Sequence, residues 1–183
     1  KMFNSFIRSK LDYCCLIWNP VKKEDIDKIE RVQRNFTAQI KGLEGMDYHE
    51  RLERLKTYSL ERRRERFLII NAWKQIEGKK ENILGLELGR TGRRRCIRSA
   101  TIPTALSGKF RTKIQQSTAR QMERLFNATP YNLQNKSDIS PGTFKKHLDT
   151  WLRTVPDTPR IDNYGASVPA ETNSISKQRN ANW

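Results

Sequence analysis

The chain has 183 residues, of which 36 are Lys or Arg and 20 are Asp or Glu, so its formal net charge is +16. This charge predicts a polyanionic partner such as nucleic acid. Its length fits one domain or little more, its apolar fraction of 36% predicts a thin core, and the lack of an apolar run of about 18 residues excludes a spanning helix, so we expect no membrane partner. Three cysteines, two of them adjacent, exclude a disulfide framework and favour an intracellular protein of the cytoplasm and nucleus.

The first predicted element covers residues 1–20. Its apolar side chains recur at helical spacing, at Phe3, Ile7, Leu11, Cys15 and Trp18. The residue before a proline disfavours the helical conformation, so we expect this helix to end at Asn19. The helix has no N-cap residue at its start, which favours a piece of a larger protein.

Residues 21–80 are predicted to form a helical domain. The clearest helix covers residues 22–41, with one apolar stripe of Ile26, Ile29, Val32, Phe36 and Ile40, and Gly42 suits its C-terminal end. Asp47, with Glu50 three residues later, is a capping-box pattern that predicts a short helix. Ser59 predicts the start of another helix, which Gly78 ends. Its buried side is predicted to contain Leu60, Phe67, Ile70 and Trp73.

Residues 81–116 are predicted to be an irregular basic connector with one extended piece at 96–103, because glycine and proline interrupt the segment. Residues 117–155 are predicted to contain a helix from Ser117, a turn at 127–135, and a last helix that begins at Ser140 and Pro141. The predicted apolar sides are Ala119, Met122, Leu125 and Phe126, and then Phe144, Leu148, Trp151, Leu152 and Val155. Residues 156–183 are predicted to be a disordered tail. The predicted fold class is mostly α, a small helical bundle with an irregular basic middle and a disordered C-terminal tail.

The sequence predicts no catalytic or metal site. Cys14 and Cys15 are neighbours, so on a helix they point about 100° apart and suit one zinc ion poorly. We interpret both as small core residues. Asp25 and Asp27 lie in the first turns of a helix, where acidic residues stabilise the helix dipole. We therefore expect no enzyme activity, no metal and no cofactor in this chain.

The basic segments contain the candidate binding residues. Between Arg90 and Arg124 the sequence has ten basic residues and one acid, Glu123. A solvated surface normally mixes both signs, so we expect contact with phosphates here, with a merely solvated loop as the alternative. The first candidate patch, on the helices at 22–41 and 59–78, consists of Lys22, Lys28, Arg31, Arg34, Arg62 and Arg63. The second candidate patch consists of Arg93, Arg94, Arg95, Arg98, Lys109, Arg111 and Lys113.

Several motifs occur in a fixed order along the chain. They are carried by Tyr13, Cys14, Trp18, Pro20, Val32, Gln33, Arg34, Tyr48, Arg51, Leu52, Ser59, Leu60, Arg62 and Arg63. The segments RLFNATP at 124–130 and FKKHLDTWLRTVPDTP at 144–159 follow them. Together these motifs resemble the region after the catalytic palm in reverse transcriptases of non-LTR retrotransposons, particularly the jockey-like ones.

The resemblance implies a thumb-like helical domain at 21–80, which would hold template RNA and nascent DNA as an RNA–DNA duplex. It also implies that the catalytic aspartates and their magnesium belong to a palm domain that precedes this sequence. Residues 1–20 would then be the helix that leaves the palm, and Phe3, Phe6 and Trp18 would contact the palm and be exposed here. The alternatives are a stand-alone RNA- or DNA-binding chaperone or architectural protein derived from such an element, and a nonfunctional remnant.

Overall fold

The structure, a computed structural model, describes residues 3–20, 22–81, 87–91, 97–101, 117–157 and 174–178. Over these residues the protein is mostly α-helical, which confirms the predicted fold class. The chain divides into two compact units. The first unit comprises residues 1–64 and 156–178, and the second comprises residues 65–155 and 179–183.

The first unit contains one π-helical segment and several α-helices. The π-helical segment is Phe3–Arg8, and it is followed by α1 (Ser9–Asp12), α2 (Cys15–Trp18), α3 (Lys23–Ala38), α4 (Tyr48–Arg54), the first residues of α5 (Leu60–Ile76), and α9 (Ile175–Gln178). The second unit contains the rest of α5, the strands β1 (Glu87–Thr91) and β2 (Ile97–Thr101), and the helices α6 (Thr118–Ala128), α7 (Tyr131–Gln134) and α8 (Pro141–Leu152).

The first predicted helix is interrupted in the structure. Cys14 adopts a left-handed conformation with φ of +50°, which separates α1 from α2, so the prediction of one continuous helix in residues 1–20 was wrong. The break releases the carbonyl of Tyr13, and the indole nitrogen of Trp18 donates to it at 2.6 Å. Cys15 is buried, as expected for a core residue, whereas Cys14 is exposed. Helix α2 ends at Trp18, one residue before the predicted end.

Three predicted helix ends in the first 80 residues are confirmed by their hydrogen bonds. Asp47 and Glu50 form the capping box of α4: the Asp47 side chain accepts from the backbone N–H of His49 at 3.0 Å, and the Glu50 side chain accepts from the backbone N–H of Asp47 at 3.1 Å. The Ser59 hydroxyl accepts from the backbone N–H of Arg62 at the start of α5. After α5, Gly78 has φ of +63°, the left-handed conformation in which a helix commonly stops.

The buried side of α3 differs from the predicted apolar stripe. Its buried residues are Glu30, Gln33 and Thr37, whereas Val32 is 40% exposed and Phe36 is 37% exposed. Helix α3 therefore has a polar side inside the first unit and an apolar flank that is partly exposed. A hydrophobic pattern does not reveal this buried side, because buried polar residues give no signal in it.

The core of the second unit is apolar. Trp73 of α5 stacks on Phe144 of α8 with the ring centroids 4.3 Å apart, and both side chains are fully buried. Met122 and Phe126 of α6, both buried, add the predicted apolar side of that helix. The Trp73 indole nitrogen donates to the Lys136 carbonyl at 2.8 Å, so its one polar atom is satisfied.

Several predictions for residues 81–183 need correction. Strands β1 and β2 pair in an antiparallel ladder, which confirms the extended piece near 96–103 but adds a strand that was not predicted. The turn predicted at 127–135 contains α7, and Gln134 donates to the carbonyls that end α6. Within the predicted disordered tail, Asp157 is hydrogen-bonded and Ile175–Gln178 is helical, so the prediction was wrong for these residues. Residues 158–173 and 179–183 lie outside the described part of the chain.

Candidate nucleic-acid interface

Helix α3 is held in the first unit by a buried carboxylate. Glu30 accepts from the Tyr48 hydroxyl and from the backbone N–H groups of Leu60 and Glu61, at 3.0 and 3.2 Å. These two N–H groups belong to the first turn of α5, where helix N–H groups lack intrahelical partners and favour a negative charge. Glu30 of one helix therefore caps the start of another.

Tyr48 stays protonated in this arrangement. Burial, and next to it the charge of Glu30, raise the pKa of the Tyr48 hydroxyl above its usual value. The hydroxyl thus remains a donor to Glu30 and an acceptor from the Gln33 amide at 3.2 Å. Both sides of the phenol oxygen are satisfied, as a buried polar group requires.

Gln33 extends this network to the π-helical segment. Its amide nitrogen also donates to the Tyr58 carbonyl at 3.0 Å, and its oxygen accepts from the Arg8 guanidinium at 2.8 Å. Burial lowers the pKa of Arg8, and the charge of Arg63 adds to that effect. A second arginine, Arg51 of α4, also contacts the buried side of α3: its guanidinium donates to the Thr37 hydroxyl at 3.2 Å and to the Met46 carbonyl at 2.6 Å. These contacts fix the rotation of α3 about its axis.

The opposite side of α3 is exposed and becomes basic along the helix. Its acids Glu24, Asp25 and Asp27 all lie in the first turns, and the one later acid, Glu30, is buried. From Lys28 to Lys41 the exposed charged residues are therefore all cations, namely Lys28, Arg31, Arg34 and Lys41. The first three recur every three residues, so they form an inclined row that extends about 9 Å along the helix.

Local contacts hold some of these cations. Lys28 lies 3.1 Å from the Asp25 carboxylate, in a pair that is largely exposed and therefore weak. The Arg34 guanidinium lies over the Tyr48 ring, 5.1 Å from its centroid, a geometry that leaves its donors available at the edge. Lys22, just before α3, is exposed, and so is Lys23, the first residue of α3. Lys23 was not included in the first candidate patch, although the Lys-Lys pair is visible in the sequence.

Arg62 does not belong to this exposed surface. Its side chain is 0% exposed, donates to the Pro156 carbonyl at 2.8 Å and lies 3.6 Å from the Asp157 carboxylate. The same carboxylate accepts from the backbone N–H and the hydroxyl of Ser59, at 2.7 and 2.8 Å. The prediction that Arg62 contacts phosphate was therefore wrong, because this arginine binds the chain's own carboxylate inside the first unit.

Arg63 is also engaged within the first unit. Its guanidinium is partly buried and forms an ion pair with the Asp12 carboxylate. A phosphate would have to compete with this carboxylate. The first patch is thus reduced in the structure to Lys22, Lys28, Arg31 and Arg34.

The second patch is described only in part. Arg93, Arg94, Arg95, Lys109, Arg111 and Lys113 lie outside the described residues. The backbone of Arg98 lies in β2, opposite Arg90 of β1.

The aromatic residues of the first unit are only partly as expected. Phe6 is 65% exposed and Trp18 is also exposed, but Phe3 is 6% exposed because its ring stacks on Phe36 at 4.1 Å. The expectation for Phe3 was therefore wrong. Tyr13 and Ile17 are exposed as well, which the sequence pattern did not indicate.

The described residues contain no group of His, Cys, Asp and Glu side chains that could hold a metal ion. Likewise, among the helices that the structure describes, none is both long enough and apolar enough to cross a membrane. In comparisons with protein-family models, curated proteins and solved structures, no match to this chain was found.

Several residues that carry the resemblance to reverse transcriptases have structural positions. Gln33, Tyr48, Arg51, Ser59 and Arg62 are all buried and hydrogen-bonded inside the first unit. These motif residues therefore connect helices to one another, while the exposed cations between them are the groups available to a partner.

Proposed function

We propose that this chain binds nucleic acid through the phosphate backbone, as the thumb and C-terminal part of a jockey-like non-LTR reverse transcriptase. In that role it holds template RNA and nascent DNA for a polymerase palm, and its own residues carry out no chemistry. The observation that carries the proposal is the exposed surface from Lys28 of α3 to Lys41, in the turn after the helix, where every exposed charged residue is positive.

The rigidity of α3 supports this role. Its polar side is fixed by Glu30 and Gln33, so the cations on the other side have a defined spacing. Phosphate contacts of this kind are sequence-tolerant and release counterions, which makes the affinity strongly dependent on salt. In a longer polymerase, the exposed side chains of Phe6 and Trp18 would lie against the palm.

A binding experiment with matched variants tests the proposal. Affinity for a short RNA–DNA duplex is measured over a range of salt concentrations for the unmodified chain and for Lys28→Ala/Arg31→Ala/Arg34→Ala. Each phosphate contact contributes a slope of about −0.7 to −0.9 in log affinity against log salt, so the triple variant is expected to flatten the slope by about two units or more.

The control is Lys145→Ala/Lys146→Ala/Arg153→Ala, which removes three exposed cations in and just after α8. It changes the net charge by the same amount but leaves α3 intact. If the two triple variants weaken binding equally, the surface of α3 is only a solvated helix face and the proposal fails. A chain that does not bind the duplex at low salt would also reject it.

The proposed lack of chemistry has its own test. Primer extension on an RNA template, with magnesium or manganese, is expected to give no product above a buffer control, because no carboxylate cluster is evident in the sequence. Nucleotide incorporation by the purified chain would contradict this part of the proposal.

A further inference from the structure

The exposed surface of α3 changes in chemical character around the helix. Successive residues of an α-helix are about 100° apart, so their angular order follows from the sequence. Starting from Arg34 and Arg31, the next exposed residue around the helix is Asn35, and Val32 and Phe36 follow on the far side. Cations therefore lie along one edge of this surface, apolar side chains lie along the other, and a neutral amide lies between them.

The apolar edge is held in position and remains partly open to solvent. The Phe36 ring stacks on the buried Phe3 ring, with the centroids 4.1 Å apart and the planes 14° from parallel. Phe36 is nevertheless 37% exposed, and Val32 is 40% exposed. A partner can therefore contact an aromatic ring whose orientation is already fixed, which lowers the entropic cost of binding.

The acids of α3 do not interrupt this surface. Apart from the buried Glu30, they all precede Lys28, in the first turns of the helix. On the apolar side the acid is Asp25, seven residues before Val32 and therefore about 10 Å away along the helix. Its carboxylate lies 3.1 Å from the Lys28 ammonium. A negatively charged ligand thus meets only cations and neutral side chains of α3 beyond its first turns.

A ligand that fits both edges has anions on one side and flat apolar rings on the other. A nucleic-acid strand with unpaired bases has this chemistry, because its phosphates contact Lys and Arg while its bases stack on aromatic side chains. An α-helix with its side chains is about 10–12 Å across, which is comparable with the distance from phosphate to base in one nucleotide. In a duplex, the bases are stacked on one another and do not offer these rings.

We infer that α3 binds a single-stranded stretch of nucleic acid, with unpaired bases against Phe36 and Val32 and the phosphates on Arg31 and Arg34. This inference rests on the proposed function and names the form of the strand that the α3 surface accepts, namely an unpaired segment next to the duplex. Because every base has a flat apolar face, binding of this kind tolerates different sequences.

An anionic lipid surface also combines negative charge with apolar groups, but the structure favours nucleic acid. Helices that lie in a membrane interface bury a broad apolar face among the acyl chains. On α3 the apolar edge is narrow, and Val32 and Phe36 are only partly exposed. The acids in the first turns of α3 would also be repelled by the lipid charge.

The test compares two ligands that carry the same number of phosphates. One is a short RNA–DNA duplex with a single-stranded extension, and the other is the same duplex with an extension of abasic nucleotides. Stacking of one base on an aromatic side chain increases affinity by about fivefold or more, so the unmodified chain should prefer the complete extension by at least that factor. This comparison requires no variant and therefore does not depend on the folding of one.

Variants then locate the bases. Phe36→Leu removes the ring but keeps an apolar side chain against Phe3, and it is expected to abolish most of the preference for the complete extension. Phe36→Tyr keeps a ring at this position and is expected to keep the preference. Tyr131→Leu is the matched control, since Tyr131 is an exposed aromatic residue of α7, outside the proposed site, and its loss should leave the preference unchanged.

The outcomes separate this inference from the proposed function. Equal affinity of the unmodified chain for both ligands, or a preference that survives Phe36→Leu, would show that no base stacks on Phe36. In either case Lys28→Ala/Arg31→Ala/Arg34→Ala would still flatten the salt dependence, and the proposed function would stand. If Phe36→Leu weakens binding to vesicles of anionic phospholipid and leaves the preference unchanged, the apolar edge binds lipid and the inference is wrong. If the unmodified chain binds neither ligand, both proposals are rejected.

Discussion

The two units of this protein are stabilised by different kinds of core. In the first unit, Glu30, Gln33 and Tyr48 form a buried network linked by hydrogen bonds, in addition to buried apolar side chains such as Leu52 and Leu60. In the second unit, Trp73 and Phe144 are stacked and fully buried, and Met122, Phe126 and Leu148 are buried as well. An apolar core is stabilised roughly in proportion to the apolar area removed from water, without directional requirements. A polar core requires every donor and acceptor to be matched, so it specifies one rotation and one register of its helices.

This difference explains which part of the protein presents a functional surface. Helix α3 is held on one side by hydrogen bonds of buried polar residues. Much of its apolar flank and the cations Lys28, Arg31 and Arg34 therefore remain exposed to solvent. In the second unit, α6 and α8 use their apolar sides for the core, as soluble helices usually do. The following predictions test this comparison, in order of decreasing effect.

The largest effect is expected in the apolar core. Trp73→Ala removes a fully buried ring, its stacking on Phe144 and its hydrogen bond to Lys136. Substitutions of this type cost about 3–5 kcal/mol of the free energy of unfolding. Urea denaturation followed by circular dichroism measures the loss. Trp151→Ala, on the partly exposed side of α8, is the control and should lose less than half as much.

The next effect concerns the polar core. Glu30→Ala leaves the Tyr48 hydroxyl and two N–H groups of α5 without their acceptor, which should cost about 3 kcal/mol. Tyr48→Phe removes one of these donors and should cost about 1–3 kcal/mol.

A double-mutant cycle then measures how the two residues depend on each other. The double variant should lose about 1 kcal/mol less than the sum of the single losses, since the two groups share one hydrogen bond. Losses that add up fully would show that Glu30 and Tyr48 act independently, and the description of a connected polar core would be wrong.

A smaller effect should appear at acidic pH. The backbone N–H of His49, first among several causes, lowers the pKa of the Asp47 side chain below its ordinary value of 3.8. A group with a lower pKa in the folded state stabilises the fold above its unfolded pKa, and that stability is lost as the pH falls through the folded pKa.

Asp47→Asn tests this dependence, because asparagine caps a helix about as well as aspartate but does not titrate in this range. At pH 7 the two proteins should have similar unfolding midpoints. As the pH falls below about 4, the ordinary pKa of an aspartate, the unmodified chain should lose more stability than the variant. Asp47→Ala, which removes the cap, should cost about 1 kcal/mol at neutral pH. Parallel acid profiles for the unmodified chain and the Asn variant would contradict the assignment.

The smallest effect is expected at Val32, on the exposed flank of α3. Val32→Thr should change the free energy of unfolding by no more than about 0.5 kcal/mol, as is usual for surface substitutions. The same substitution at a valine buried in an apolar core would cost clearly more free energy of unfolding, because the new hydroxyl would lack a hydrogen-bond partner. A loss above about 1.5 kcal/mol would therefore place this flank inside the fold and weaken the contrast between the two units.

The sequence predicted the second unit better than the first for a physical reason. The helices that begin at Ser117 and Ser140 bury Met122, Phe126, Phe144 and Leu148, and hydrophobic periodicity reports such positions directly. The same periodicity identified Val32 and Phe36 as part of one apolar stripe, but it could not detect that Glu30 and Gln33 are the buried residues, because their partners are distant in sequence. Helix caps were predictable throughout, since they depend on residues within one turn.

The candidate interface was predictable only in part. Composition identified the cations of α3, but it could not distinguish Arg31, which is exposed, from Arg62, which is enclosed by Asp157 and the Pro156 carbonyl. An arginine's partner is fixed by tertiary contacts and not by its neighbours along the chain. The cross-strand position of Arg90 and Arg98 depends on the register of the ladder. Because strand β1 was not predicted from the sequence, this register could not be predicted either.

The contact of Asp157 with Ser59 has a consequence for how the protein is made. The two residues are 98 positions apart, and the whole contiguous part of the second unit, residues 65–155, lies between them. Ribosomes add about 5–20 residues per second, so the start of α5 waits about 5–20 s for this carboxylate to be synthesised. During that interval the second unit can already condense, whereas the first unit lacks one of its own segments. We therefore expect residues 65–155 to reach a protease-resistant state first on the ribosome, and the first unit to complete its fold only after Asp157 has emerged.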